Sequence, residues 1–245
     1  MYSRDSLLLI GHGSTTQPGA ARPLLAHADI VRESGRFGEV AVGMLHGEPS
    51  AGAAFDALKS SVVHVMPFFL EDGYFTRIAI PDLLLAQAGN GRVVRFCRPV
   101  GAHEAIADLF EARLSRHCDL FGTMPKSLAV ILAAHGSARN PGRARALRRH
   151  AAKLEALDRY VTIRPAFLEE SPTIAETLAG LRGHIVAVIG YFANEGAHAT
   201  QDLPALISAE RAARGTNWPP VHDLGNIGTD AAMPRLIIDQ VASGQ

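Results

Sequence analysis

Cysteine is nearly absent: Cys97 and Cys118 are the only two in 245 residues, and they show no CxxC spacing. That excludes a disulfide framework, a zinc ribbon and a cysteine-held iron–sulfur cluster. Charge of one sign is also lacking, because 24 basic residues balance 24 acidic ones. No general field draws the chain to nucleic acid or to an anionic membrane, so any charge selectivity must be local. Long apolar runs are missing as well. The opening MYSRDSLLLI is too short for the apolar region of a signal peptide, and no later segment approaches the roughly 20 residues of a membrane span. A soluble, cytoplasmic protein without nucleic-acid or membrane partners is expected.

What the chain does have is a repeat. LLLIGHGSTTQPG returns as VILAAHGSARNPG, and His12 and His135 lie 123 positions apart. The same spacing relates Pro18 to Pro141, Pro49 to Pro172, Gly73 to Gly196 and Pro81 to Pro204. Five landmarks at one spacing indicate a duplicated unit, expected to fold as two similar halves facing each other across a cleft. With 47% apolar residues the chain can fill two compact cores. The expected domains are 1–121 and 122–245, with the linker in HCDLFGTMPKS around the Gly122 to Pro125 turn signals.

Within each half, short β-rich runs alternate with helical patterns. SLLLIG, EVAVGML, VVHVMPFFL and RVVRFC supply the strands of the first half; SLAVILAA, YVTIRPAFL, HIVAVIGYF and the weaker NWPPVHDLG supply those of the second. Nearly continuous apolar strands separated by helices predict an α/β fold, each half a mostly parallel four-stranded sheet flanked by helices. Each His-Gly-Ser falls where a strand ends and a loop begins. Ligands of open parallel sheets bind beyond the carboxyl ends of the strands, so His12 and His135 stand where chemistry is expected.

The copies part company after the third strand. Copy one reads MPFFLEDGYFTRIAIP and copy two VIGYFANEGAHATQDLP, which sets Phe75 opposite His198 and Ala79 opposite Asp202. The second half therefore offers two histidines at strand ends where the first offers one. Two neutral imidazoles suit a divalent first-row metal bound transiently with open positions. Phenylalanine cannot replace either.

The ordered set of HGS, an E-S-P or E-P-S element (Glu170 to Pro172, Glu48 to Ser50) and G-x-H-x-x-x-D-x-P resembles the class II tetrapyrrole chelatases. Within that class the chain is most similar to the long, two-domain CbiX type, the sirohydrochlorin chelatases. The likeness extends to the PVGAH and DLGNI turns at Pro99 to His103 and Asp223 to Ile227. It implies insertion of a divalent metal, cobalt first with iron or nickel as other choices, into sirohydrochlorin or a close precursor, for cobalamin or siroheme. It also implies that the metal is a substrate, with no organic cofactor. His135 and His198 are the implied metal ligands and proton acceptors, with Glu195 assisting and Glu169 and Glu170 nearby. The first half keeps His12 but has Phe75 where the partner would stand, so one site is expected, in the second half.

The substrate so implied carries many carboxylates. Ser137, Arg139 and Arg143 follow the second histidine and, with Arg77 and Phe75 reaching from the first half, are the expected substrate-binding residues. Asp202 before Leu203-Pro204 reads more readily as a helix N-cap. His27 and His150 read as surface positions on helices, and His46, His64, His103, His117, His184 and His222 have no partner at ligand spacing. A phosphohistidine phosphatase would need arginine before the histidine, where Gly11 and Ala134 stand. A non-catalytic metal- or tetrapyrrole-binding protein is the remaining alternative. One chain suffices to form the cleft; a homodimer is not required.

Overall fold

The computed structural model describes residues 2–89, 91–138, 144–215 and 218–243. Two four-stranded parallel sheets form, with strand orders β2-β1-β3-β4 and β6-β5-β7-β8. In the first, β1 (Tyr2–Gly13), β2 (Phe37–His46), β3 (Val62–Pro67) and β4 (Val93–Phe96) alternate with α1 (Arg22–Glu33), α2 (Ala51–Ala57) and α3 (Ile80–Gln87), and α4 (Ile106–Phe121) follows. In the second, β5 (Leu128–Ala134), β6 (Thr162–Phe167), β7 (Ile185–Gly190) and β8 (Val221–Asn226) alternate with α5 (Arg145–Glu155), α6 (Ile174–Gly180) and α7 (Leu203–Arg214), and α8 (Met233–Ser243) follows. All eight expected strands are present, and the duplicated α/β architecture is the one the alternation predicts.

The central strands are buried on both faces: Leu7 to Ile10 of β1 and Leu128 to Ala133 of β5 have no exposed surface. A parallel strand between two helical layers requires such a run. β4 and β8 instead alternate half-exposed and exposed residues, as edge strands do. Past Pro204 the repeat spacing lengthens, because α7 has 12 residues where α3 has eight. Arg214 anchors the added turn. Its guanidinium is buried and donates to the carbonyls of Leu178, His184 and Pro219 and to the Glu210 carboxylate.

The compact units do not follow the expected 121/122 division of the repeat. One comprises Met1–His103 with Ala231–Gln245, the other Glu104–Asp230. The last helix of each repeat is exchanged: α4 belongs with the second sheet and α8 with the first. Phe110 of α4 packs on Tyr191, with ring centres 6.0 Å apart, and Arg113 binds the carbonyls of Leu224 and Asn226 and the Asp230 carboxylate. α8 lies against α1 and β3. The expected linker is also shorter than read: residues 117–121 are the last turn of α4, which Gly122 ends with φ 60°.

This exchange predicts where damage to α4 appears. Phe110 is fully buried, so Phe110→Ala should cost about 3–5 kcal/mol. In hydrogen-exchange mass spectrometry the loss of protection should fall on β5 to β8 and leave β1 to β4 unchanged.

Candidate metal centre

β5 delivers His135. The strand stops because Gly136 takes φ 72°, and a Cβ there would lie 2.8 Å from both Phe167 Cβ and Glu170 Cγ. Only glycine permits that approach. The buried Glu170 carboxylate accepts from the Ser137 N–H at 3.1 Å and from Arg148 at 3.3 Å, which ties the loop to α5. Arg148 also lies 5.1 Å over the Phe167 ring.

His198 opens a single π-helical turn, His198–Asp202, leading into α7. Pro204 gives the reason. It lacks an N–H and its ring crowds the carbonyl four residues earlier, so the ladder widens and the Leu203 N–H reaches the His198 carbonyl five residues back. The first unit repeats the turn at Phe75–Ala79, with the Ile80 N–H on the Phe75 carbonyl before Pro81. Phe75 and His198 thus occupy one backbone position in two copies, as their spacing requires.

The rings of His135 and His198 meet edge to face, with centres 4.3 Å apart and planes at 89°. His135 Nδ1 is 3.0 Å from the Gly136 carbonyl oxygen, which can only accept, so Nδ1 carries the proton and Nε2 the lone pair. His198 Nδ1 lies 2.7 Å from Asp202 Oδ2, and the same reasoning leaves its Nε2 free to bind metal. Glu169 Oε1 stands 3.6 Å from His135 Nε2. The two imidazoles are 43% and 45% exposed, so an arriving ion can reach them. They flank the gap between β5 and β7, where the strand order reverses and α/β sheets bind ligands. Among the described residues no cluster of three or more His, Cys, Asp or Glu side chains forms a closed set around an ion.

Other expectations fare unevenly. Asp202 is no cap: it is itself helical and makes no side-chain cap bond, because its carboxylate is taken by His198. Glu195 is exposed and forms no ion pair with either imidazole among the described residues, where Glu169 and Asp202 are the neighbouring carboxylates. Ser137 meets Glu170 through its backbone. Arg139 and Arg143 lie outside the described residues. In the first unit, Phe75 sets its ring edge-on to His12 at 5.3 Å, and Arg77 is held by Asp72 at 2.6 Å. Burial opposes the effect, but hydrogen bonds from Arg77 and Thr76 hold the Asp72 carboxyl below its ordinary range.

Five other histidines also differ from expectation. His27 and His150 are buried, not on the surface, against Phe68 and Tyr191, which are themselves equivalent in the repeat. The helical stripe explains it, since His150 stands three residues after buried Leu147 and four before buried Leu154. His117 and His222 pack against each other and Phe121, with their ring centres 4.6 Å apart and tilted, and burial lowers both imidazoles below their ordinary range. His46, for which the sequence shows no partner at ligand spacing, stands beside His12 with ring centres 4.9 Å apart. The repeat spacing held the signal, because His46 aligns with Glu169.

Two parallel α/β units, each with an imidazole at the end of its first strand, define a duplicated α/β protein of the chelatase-like fold. The CbiX family model matches residues 6–117 and 129–243, and the chain belongs to that family. A probable sirohydrochlorin cobaltochelatase of Halobacterium salinarum is 27% identical over 272 residues, covering 97% of this chain and 91% of the relative. A multi-domain protein of Deinococcus radiodurans, described as structurally similar to chelatases, matches with a TM-score of 0.85 at 27% identity over 99% of this chain. This chain spans 56% of that protein's length. SirB from Bacillus subtilis, solved with Fe3+, shares the fold, with a TM-score of 0.83 at 18% identity over 98% of this chain and 95% of its own. Among the described residues no helix is long and apolar enough to cross a membrane.

If Asp202 fixes the tautomer of His198, Asp202→Asn should weaken Co2+ binding about 10- to 100-fold. Titration followed by the visible absorption of bound cobalt checks this.

Proposed function

We propose that this chain inserts a divalent metal, cobalt or iron, into sirohydrochlorin or a close precursor, and that the site lies in the second unit. One observation carries the reading: the rings of His135 and His198 meet with both Nδ1 atoms engaged, leaving both Nε2 atoms unengaged by a hydrogen bond and that of His135 3.6 Å from the Glu169 carboxylate. The family and the name of the Halobacterium relative support the substrate class.

Insertion exchanges two pyrrole N–H protons for one M2+ ion, leaving the macrocycle's net charge unchanged. The protein must present a metal with replaceable ligands and accept two protons. Two imidazoles hold the ion weakly enough to surrender it to four ring nitrogens. Glu169, next to His135 Nε2, takes the first proton, and an imidazole takes the second once the metal has left it. Asp202 keeps His198 oriented. The polyanionic rim of the macrocycle calls for cations near this site. Arg148 is committed to Glu170, whereas Arg145 and Arg149 are exposed on α5. Arg139 and Arg143, which follow Ser137 in sequence, are the further cations proposed to meet substrate carboxylates.

Spectroscopic assay of metal insertion tests the reading. His135→Ala and His198→Ala should each lower turnover at least about 100-fold, the scale of a lost acid–base group, and His12→Ala should leave most of it. Glu169→Gln should slow insertion while cobalt binding persists. Loss of turnover in His12→Ala alone would overturn the assignment. An unmodified chain inactive with cobalt, iron and nickel would favour a binding protein.

A further inference from the structure

We propose that the first unit holds a second divalent-metal site, built from His12 and His46, which binds a first-row transition ion without inserting it. The two imidazoles come from the carboxyl ends of adjacent strands. Gly13 pairs in register with His46 across β1 and β2. A Cβ on Gly13, whose φ is 70°, would lie 2.0 Å from the His46 carbonyl oxygen, so the two strand ends are in close contact.

The ring separation is comparable to that of the second unit, though the tilt differs. The centres of His12 and His46 are 4.9 Å apart with planes at 55°, against 4.3 Å and 89° for His135 and His198. His12 Nδ1 lies 3.1 Å from the Gly13 carbonyl oxygen, as His135 Nδ1 lies near that of Gly136, so Nε2 carries the lone pair in both. The His46 side chain is exposed and has no hydrogen bond or ion pair among the described residues, so both its nitrogens remain available. Phe75 and Phe69 wall the site, 5.3 and 6.3 Å from His12. With water completing the shell, two imidazoles select cobalt, nickel, copper or zinc over magnesium or calcium.

The same residues explain why this site would hold metal without inserting it. His46 takes the place of Glu169, and Ala79 that of Asp202, so neither the proton acceptor nor the carboxylate that orients an imidazole is present in this copy. The non-inserting role rests on the proposed function, whereas binding at His12 and His46 is tested separately from turnover.

Titration of the metal-free full chain with Co2+, followed by calorimetry and visible absorption, decides it. The unmodified chain should bind two ions, and His135→Ala/His198→Ala should bind one. Adding His46→Phe to that double variant should remove the remaining ion, weakening it at least tenfold, and His46→Gln should do the same, with circular dichroism confirming the fold of each. Mg2+ should not compete. A double variant that binds no cobalt overturns the proposal, as does a remaining ion that survives both changes at His46.

Discussion

The structure depends on how a fully buried strand is made to stop. Leu7 to Ile10 of β1 and Leu128 to Ala133 of β5 run through the middle of their sheets with no surface exposed, and each strand leaves that enclosure at a residue with a left-handed backbone. Gly13 and Gly136 supply it, at φ 70° and 72°. Each also lies too close to a neighbour for a side chain: the His46 carbonyl in one unit, Phe167 and Glu170 in the other. The imidazole before each glycine is therefore held at the mouth of the sheet by backbone geometry, before any side-chain contact is made.

The second constraint is a proline. Pro81 and Pro204 stand one residue into α3 and α7, and each forces one wide turn ahead of the helix. In the second unit that turn places His198 and Asp202 on one face, close enough for a charge-assisted hydrogen bond. A regular helix there would alter the angle of the imidazole. The glycine thus sets one imidazole and the proline the other, and the two features follow different strands of the sheet.

Most of this was legible in the sequence because the repeat tests every reading twice. Eight strands, the parallel sheets and the substitution of Phe75 for His198 follow from periodicity and spacing alone. What escaped was three-dimensional partnership. Asp202 reads as a cap because an acidic residue before a proline-led helix usually is one, and no pattern records that His198 four residues earlier claims it. His27 and His150 read as polar surface because their polarity outweighs a stripe that only Leu24, Val31, Leu147 and Leu154 define. The helix exchange was hidden for a related reason: a repeat fixes where a helix lies in the chain but not which of two equivalent sheets it covers. Phe110 finding Tyr191 settles that, and both residues would suit either unit.

The two copies are less unequal than their histidines suggest. The first has an imidazole at the end of its first strand and another at the end of its second; the second copy has them after its first and third. Each therefore retains a pair. The sharper difference is in the carboxylates, for the second copy sets Glu169 and Asp202 against the rings where the first has His46 and Ala79. Imidazoles suffice to hold an ion, whereas extracting protons from a macrocycle asks for a base that is not itself occupied by the metal. Under the proposed function, divergence at positions 46 and 79 would separate holding from inserting more completely than the loss of a histidine at position 75.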